Sequence, residues 1–298
     1  MNMENSFLDY TGCTLSLGNF DGLHLGHKKV ITSAVGEGLN VALMFRQHPQ
    51  KFLSGKAPCE ITTKSKEKKL LAEWGVQPEY IDFEAISDLS PEEFFYKIII
   101  GHYSAAAVSC GFNYHFGKNA AGDAGLLRAL CEKNGIAINI SEPQLYCGEP
   151  ISSTRIRQCI KTGDMPSAAA MLGRLFSYDF EVVHGDARGR LLGFPTINQF
   201  FGENHAVPAF GVYASLTEID GRMFPSVTNI GIRPTVGSSV ERSETHIIGF
   251  EGDLYGKCVE VSLIKKLRDE ERFPSFEELS NQMAQDKKQA LIAAEEIL

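Results

Sequence analysis

The chain has 298 residues, a length that favours two domains over one. Hydrophobic residues make up 43% of it and charged residues 22%, as in a packed globular protein, and a formal net charge of −8 argues against a nucleic-acid partner. No apolar run is long enough to predict a membrane span, and the acidic N-terminus lacks the basic start of a signal peptide. We therefore expect a cytoplasmic protein without a membrane partner.

The first half of the chain alternates short apolar runs with amphipathic stretches. Strands are predicted over residues 13–17, 40–45, 80–83, 105–109 and 136–140. Helices are predicted over residues 27–35, 64–74 and 122–134, and a further helix is predicted to start at Ser90. This alternation predicts an α/β domain over residues 1–160 with a doubly wound parallel sheet, whose ligands bind at the carboxyl ends of the strands.

The character of the sequence changes after residue 173. Between residues 176 and 267, many short alternating runs are separated by Gly, Pro and Asn, which predicts an antiparallel barrel. Residues 161–174 are interpreted as a linker that contains a connecting helix, Met165–Leu172. Residues 275–298 have an N-cap serine and apolar residues at helical spacing, so the second domain, residues 175–298, is expected to close with helices.

The first motif with chemical content, GNFDGLHLGH, occupies residues 18–27 directly after a predicted strand. His24 and His27 share one face at the opening of a helix, where free backbone N–H groups also point outward. Together they could surround ATP phosphates, and Gly18, Gly22 and Gly26 would let the backbone approach closely. Nucleotidyl transfer depends mainly on positioning and charge stabilisation, which such donors supply. From this motif alone, a helix with two solvent-facing histidines is an equally good interpretation.

A second motif, ISSTRIR, occupies residues 151–157 and begins another predicted helix, with Ser152 or Ser153 as N-cap. Its hydroxyl groups and Arg157 are further phosphate donors, although an ordinary capped helix with a surface arginine has the same pattern. The two motifs flank the predicted α/β domain. This arrangement resembles the HxGH nucleotidyltransferase superfamily, whose second motif is matched by Ser153, Thr154 and Arg157.

Within that superfamily, the chain resembles the prokaryotic bifunctional riboflavin kinase/FAD synthetase family. The family's G-x-FDG-V-H-x-GH motif is present with Leu23 in place of valine, which implies ATP-binding roles for Phe20 and Asp21. The family's F-x-P-HP element appears at residues 45–49 with Gln47 in place of proline. Its G-x-D/N-F-x-F-G element appears at residues 111–117 with departures at Tyr114 and His115. The resemblance implies that His48 and Asn113 lie near the FMN substrate.

The second half contains an independent motif, GDARGRLLGFPTIN, over residues 185–198. Glycines and arginines in such a loop can fold over ATP phosphates, and the candidates are Gly185, Arg188, Gly189 and Arg190. Thr196 and Asn198 are two neutral oxygen ligands of the kind that Mg²⁺ accepts beside phosphate and water oxygens. A β-turn followed by an edge strand is the more ordinary interpretation of this spacing taken by itself.

The same stretch resembles the riboflavin kinase domain, which is a six-stranded barrel in that family. Later family blocks follow in order as PAFGVY, NIGIRPT, ETH, FEGDLYG and LRDEERF. Glu244 stands where the family has its catalytic carboxylate, a group that can orient a primary alcohol and accept its proton. The acidic residues 269–271 are interpreted instead as a solvated, charged turn.

The resemblance implies a bifunctional, Mg²⁺-dependent enzyme with riboflavin, FMN and ATP as substrates. One step phosphorylates riboflavin to FMN, and the other adenylylates FMN to FAD with release of pyrophosphate. Two alternatives remain at this point. A nucleotidyltransferase for another substrate would account for the HxGH half only, and a flavin-binding regulatory protein would have lost one or both activities.

Overall fold

A computed structural model of the chain describes residues 9–33, 38–185, 194–235 and 238–298. Its backbone contacts divide it into two compact units, residues 1–58 with 67–152 and residues 59–66 with 153–298. The end of the first unit at residue 152 differs from the predicted domain end at 160, because Ile156 and Ile160 are buried in the second unit. In that unit the Ile160 carbonyl accepts a hydrogen bond from the backbone N–H of Ala209.

The first unit is built around a five-stranded parallel sheet with strand order β3-β2-β1-β4-β7. The sheet strands are β1 (Thr14–Leu17), β2 (Asn40–Phe45), β3 (Gln77–Ile81), β4 (Ala107–Gly111) and β7 (Ala137–Ser141). Short two-residue strands form two hairpins: β5 (His115–Phe116) with β6 (Gly122–Asp123), and β8 (Leu145–Tyr146) with β9 (Glu149–Pro150). The helices are α1 (Leu25–Thr32), α2 (Pro49–Ser54), α3 (Lys64–Glu73), α4 (Pro91–Phe94), which continues as a π-helix over Phe95–Ile100, and α5 (Ala124–Lys133).

Both faces of this sheet are covered, as in a doubly wound fold. On one face, Ile31 of α1 and Leu71 of α3 pack with Met44 of β2. On the other face, Phe95 and Leu127 belong to a cluster with the central strands. Because both sides of the sheet are covered, all four residues of the central strand β1 are buried, including the polar Thr14 and Ser16. The predicted α/β class is confirmed. The last two residues of the predicted first helix, 34 and 35, lie outside the described residues.

The second unit contains a six-stranded antiparallel sheet with strand order β10-β15-β12-β13-β14-β11. The strands are β10 (Phe176–Glu181), β11 (Thr196–Phe200), β12 (Gly211–Ile219), β13 (Arg222–Thr235), β14 (Ser238–Ile247) and β15 (Cys258–Arg268), and the helices are α6 (Ser153–Thr162), α7 (Met165–Leu172) and α8 (Phe276–Glu295). The two edge strands meet where the backbone N–H of Val183 donates to the Asn198 carbonyl at 2.9 Å. The predicted six-stranded barrel is therefore confirmed, and the described C-terminal segment forms one helix.

The two sides of this barrel differ in polarity. One side carries buried hydroxyl groups that bond to one another across the strands, such as Ser215 to Thr228 at 2.7 Å and Thr228 to Thr245 at 2.9 Å. On the other side, Ala214 of β12 packs with Ala290 of α8. Because side chains alternate along a strand, residues between the hydroxyl-bearing positions face the side that α8 covers. Among the described helices, we find none with the length and apolarity needed to span a bilayer.

Candidate active sites

Three sequence motifs of the first unit follow three neighbouring strands. Residues 18–27 come directly after β1, His48 comes after β2, and Asn113 comes after β4. Since β2, β1 and β4 are adjacent and parallel, their carboxyl ends share one edge of the sheet. The strand order also reverses direction between β1 and β4, the point at which open α/β sheets bind ligands. The structure thus brings the three predicted motifs to one edge.

The turn after β1 positions the two histidines. It is tight enough that Phe20 and Leu23 have φ values of 47° and 42°. His24 is the N-cap of α1, and its Nδ1 accepts a hydrogen bond from the backbone N–H of His27 at 3.3 Å. The two imidazole rings stack with their centroids 3.6 Å apart and their planes 18° apart. His24 is buried and His27 half-buried, so the pair is not the solvent-facing pair that the motif alone would allow.

The glycines of this motif are explained partly by side-chain packing. A Cβ at Gly18 would lie 2.8 Å from the Phe20 ring, and a Cβ at Gly26 would lie 3.0 Å from the His24 ring. Gly22 has a φ of 80° in the turn that also contains Asp21. The C-terminal half of α1 is held against the sheet, because the Ser109 hydroxyl donates to the Val30 carbonyl at 2.6 Å. The predicted close approach to phosphates remains a prediction.

His48 and Asn113 are accessible at the same edge of the sheet. His48 is the N-cap of α2, and its Nδ1 accepts from the backbone N–H of Gln50 at 3.2 Å. Partial burial lowers the pKa of His48, which favours this neutral, accepting imidazole. Asn113 is exposed, with its Oδ1 3.2 Å from the position that a Cβ on Gly111 would take. Nearby in sequence, Phe52 and Phe112 are exposed aromatic residues that the motifs did not single out.

The motif of residues 151–157 lies mainly on α6, in the second compact unit. Ser153 and Thr154 are its first two residues, half-buried and exposed respectively. The Arg157 Nε donates to the backbone carbonyl of Cys59 at 2.7 Å, so the arginine is tied to the segment 59–66 of the same unit. Burial lowers the pKa of Arg157, but an arginine remains charged at neutral pH.

In the barrel of the second unit, three polar residues form one cross-strand row. Glu244 of β14 lies opposite Asn198 of β11 on one side and opposite Asn229 of β13 on the other. A second row, two residues along, pairs Thr196 with His246. Cross-strand partners point to the same face of a sheet, as do residues two apart. Thr196, Asn198 and Glu244 therefore converge on the face that α8 covers.

The Asn198 side chain is confined by its neighbours. A Cβ at Gly185 would overlap the Asn198 amide, so only glycine fits against it. On the other side, the Arg242 Nη1 donates to Asn198 Oδ1 at 3.5 Å, and the same guanidinium forms an ion pair with Glu244 Oε1. Next to this group, His246 Nδ1 donates to the Pro195 carbonyl at 2.9 Å, and burial lowers the pKa of His246. The predicted residues Arg188, Gly189 and Arg190 lie outside the described residues.

A cavity of about 510 Å³ opens beside this row. Thr196, Asn229 and Glu244 line it together with apolar and charged residues of the strands, of the turn after β15 and of α8, among them Phe194, Val212, Phe273, Leu279, Met283 and the ion-paired Arg268 and Asp286. Glu270 and Glu271 also line it, and Asn229 Nδ2 donates to Glu270 Oε1 at 3.4 Å. Both acids are exposed, which agrees with a solvated, charged turn, and the same turn forms one wall of the cavity.

Comparisons with known proteins agree with this arrangement. The FAD synthetase family model matches residues 8–155, and the riboflavin kinase family model matches residues 172–293. Bifunctional riboflavin kinase/FMN adenylyltransferases of Escherichia coli (strain K12) and Bacillus subtilis (strain 168) are each 34% identical over 93% of this chain and 91% of their own length. A crystal structure described as a macrolide-efflux protein from Streptococcus pneumoniae has a TM-score of 0.85 and 29% identity, covering 93% of each chain. The chain belongs to the bifunctional riboflavin kinase/FMN adenylyltransferase family.

Proposed function

We propose that this chain catalyses two consecutive ATP-dependent reactions. In the first, riboflavin and ATP give FMN and ADP; in the second, FMN and ATP give FAD and pyrophosphate. The observation that carries the proposal is that both family models match, in order, a chain that aligns with bifunctional relatives over nearly its whole length. Reactions that consume ATP fit a cytoplasmic enzyme with small-molecule substrates.

In the kinase half, Glu244 is the proposed base. Its carboxylate lies at the wall of the cavity and is partly exposed, as a group that meets a substrate must be. It would orient the primary hydroxyl of riboflavin and accept its proton as that oxygen bonds to the γ-phosphorus of ATP. The bond from the γ-phosphorus to the bridging oxygen breaks, and ADP leaves. Gly185 and the loop residues Arg188, Gly189 and Arg190 are proposed to hold the ATP phosphates.

Thr196 and Asn198 are the proposed Mg²⁺ ligands. They offer two neutral oxygens from alternate positions of one strand, a donor set that suits a hard cation sharing phosphate and water oxygens. When bound, Mg²⁺ would neutralise charge on the transferring phosphoryl group. The described residues contain no cluster of three or more His, Cys, Asp or Glu that could hold a metal instead. The nearly complete burial of Asn198 keeps its amide in one orientation.

The cavity beside Glu244 is the proposed site for the riboflavin ring system. Its volume of about 510 Å³ lies within the range of small-molecule sites, roughly 300–1,000 Å³. Phe194, Phe273 and Met283 supply apolar walls for a flat aromatic ring. Asn229 and Glu270 supply hydrogen-bonding groups for its polar edge. This arrangement would leave the ribityl hydroxyl near Glu244.

In the adenylyltransferase half, His24 and His27 are proposed to donate hydrogen bonds to ATP phosphates at the start of α1. A helix N-terminus adds backbone N–H groups to such a site. The turn residues Gly18, Phe20, Asp21, Gly22 and Gly26 are proposed to line the nucleotide site. On α6, Ser153, Thr154 and Arg157 are proposed to contact the phosphates. His48 and Asn113 are proposed to contact FMN, whose phosphate oxygen attacks the α-phosphorus of ATP as pyrophosphate leaves.

The direct test is incubation of the purified chain with riboflavin, ATP and Mg²⁺, followed by chromatographic separation of riboflavin, FMN and FAD. We expect FMN to appear first and FAD to follow, and both to be absent when a chelator removes Mg²⁺. A transferase for another substrate would leave riboflavin unchanged and would not adenylylate FMN. A flavin-binding regulatory protein would bind flavin and convert none of it.

A further inference from the structure

Arg242 joins the two functional groups of the kinase site. It lies on β14 two residues before Glu244, so both side chains are on the same face of the strand. Its guanidinium forms an ion pair with Glu244 Oε1 and donates from Nη1 to Asn198 Oδ1 at 3.5 Å. None of the sequence motifs that point to kinase chemistry includes this arginine.

The surroundings of Arg242 hold the guanidinium in place. Its side chain is 18% exposed, compared with 32% for Glu244, so the arginine is the more enclosed partner. Its cross-strand neighbours are Phe200 on β11 and Gly231 on β13. Gly231 has no side chain, and the Glu270 carboxylate occupies the space that a Cβ there would take. The planar fork of an arginine can bond two acceptors at once, which a lysine ammonium does less specifically.

The position of this charge has two consequences for the site. Hydrogen bonding from one guanidinium fixes the rotamers of both Asn198 and Glu244, which are the proposed metal ligand and the proposed base. The same positive charge lies against the Asn198 oxygen, so it repels a divalent cation that uses that oxygen. The orienting effect of Arg242 favours catalysis, whereas its repulsion of the cation weakens metal binding. An experiment that measures both quantities can therefore separate the two effects.

Building on the kinase assignment above, we propose that Arg242 is a positioning residue that aligns Asn198 with Glu244 and raises the Mg²⁺ concentration that the site requires. Removing the charge should therefore tighten metal-dependent nucleotide binding while slowing riboflavin phosphorylation. A residue with a purely structural role would not shift these two quantities in opposite directions.

The test compares Arg242→Gln, Arg242→Lys and wild type in the full-length chain. Calorimetric titration with ADP at a series of Mg²⁺ concentrations gives the concentration that half-saturates nucleotide binding. We expect this concentration to fall roughly tenfold in Arg242→Gln, the size expected for removing one charge about 5 Å from a divalent cation in a water-like dielectric. We expect little change in Arg242→Lys, which retains the charge. At saturating Mg²⁺, kcat for riboflavin phosphorylation should fall in both variants.

Arg222→Gln is the matched control. Arg222 is an exposed arginine of the same barrel whose guanidinium stacks on Phe224 at 4.8 Å, and it does not line the cavity. It should leave both the Mg²⁺ requirement and kcat near wild type. If Arg242→Gln requires the same or a higher Mg²⁺ concentration than wild type, the inference about Arg242 is overturned. The proposed function would still stand in that case, provided that the wild-type chain phosphorylates riboflavin. Absence of phosphorylation by the wild-type chain would overturn both. If Arg242→Gln does not fold, Arg242→Lys decides: an unchanged kcat would refute the positioning role.

Discussion

Asn198 and Glu244 lie directly opposite each other in the ladder between β11 and β14. They belong to two separate sequence blocks, one interpreted as a metal-binding motif and the other as a source of the catalytic carboxylate. The antiparallel register brings the two side chains to one face of the barrel, beside a cavity large enough for a small aromatic ligand. This pairing brings residues of two separate motifs together in one candidate site.

The first prediction concerns Glu244. Glu244→Gln keeps the size of the side chain and an oxygen that can bond Arg242, but it cannot accept a proton. Loss of a general base costs about 10²–10⁴ in rate, so we expect riboflavin phosphorylation to fall by that order. A discontinuous assay that separates riboflavin from FMN measures it. Glu241→Gln is the control, because Glu241 alternates to the other face of β14. If Glu241→Gln lost as much activity as Glu244→Gln, the assignment of the general base to Glu244 would be wrong.

The second prediction concerns His27. Removing its imidazole in His27→Ala should slow FAD synthesis from FMN by about 10²–10³, by analogy with a lost transition-state hydrogen-bond donor. Riboflavin phosphorylation should persist, since it is assigned to the other unit. His102→Ala is a suitable control, because His102 is exposed and precedes β4, at the opposite edge of the sheet. Undiminished FAD synthesis by His27→Ala would mean that the stacked histidines are structural.

A third prediction concerns the segment 59–66, which packs within the second unit. Lys66 forms a buried ion pair with Glu260, with side-chain exposures of 10% and 19%. Lys66→Met leaves that carboxylate without its cation, and we expect a loss of about 3 kcal/mol in the free energy of unfolding. Lys97→Met, which breaks the exposed pair with Glu93, should leave the free energy of unfolding nearly unchanged, because solvent screens that pair.

Urea unfolding separates these two effects. Trp74, the one tryptophan of the chain, belongs to the first unit, so its fluorescence follows that unit. Circular dichroism follows both units. We expect Lys66→Met to lower the circular dichroism midpoint and Lys66→Met combined with Glu260→Leu to recover much of the loss, because no unpaired charge remains. An unchanged midpoint in the single variant would show that the segment contributes little to the stability of the barrel.

The fourth prediction concerns separability. A fragment of residues 153–298 keeps α6 and α7, which pack with each other, and α7 also packs on β10 and β15. Because it lacks the segment 59–66, this fragment should be less stable than the second unit of the full chain. We still expect it to phosphorylate riboflavin, to make no FAD, and to be more stable than a fragment of residues 175–298 that lacks both helices. Chromatography of the products and thermal unfolding measure the two properties. A folded fragment without kinase activity would contradict the domain assignment.

Several elements follow directly from the sequence. β2 and α7 have the predicted bounds, and Ser90 forms the predicted helix start, with its hydroxyl accepting from the Glu93 N–H at 3.1 Å. The third strand begins earlier than predicted, at Gln77. Its first three residues are not apolar at strand spacing and include Pro78, which an edge strand tolerates, so the sequence pattern shows only the last part of the strand. α2 was not predicted, because none of its residues is buried and it has no apolar period.

The site was predictable only where it coincides with a motif. Neither the Arg242 contacts nor the place of Glu270 at the cavity has a local sequence signal, because both depend on strand register and on the packing of α8. Similarly, only the fold shows that the exposed Phe52 and Phe112 follow β2 and β4, at the edge of the sheet that carries the candidate site. Local patterns predict elements and motif residues, whereas contacts between distant segments require the fold.

The central claim is that one chain holds two separate active sites. It is tested most directly with two single variants, Glu244→Gln and His27→Ala, assayed separately and as a mixture of the two proteins. Each variant is assayed once from riboflavin and once from FMN, and then an equimolar mixture is assayed from riboflavin. We expect Glu244→Gln to make FAD from FMN only, His27→Ala to stop at FMN, and the mixture to restore conversion of riboflavin to FAD. Loss of both reactions in each folded variant, with no recovery in the mixture, would contradict the account.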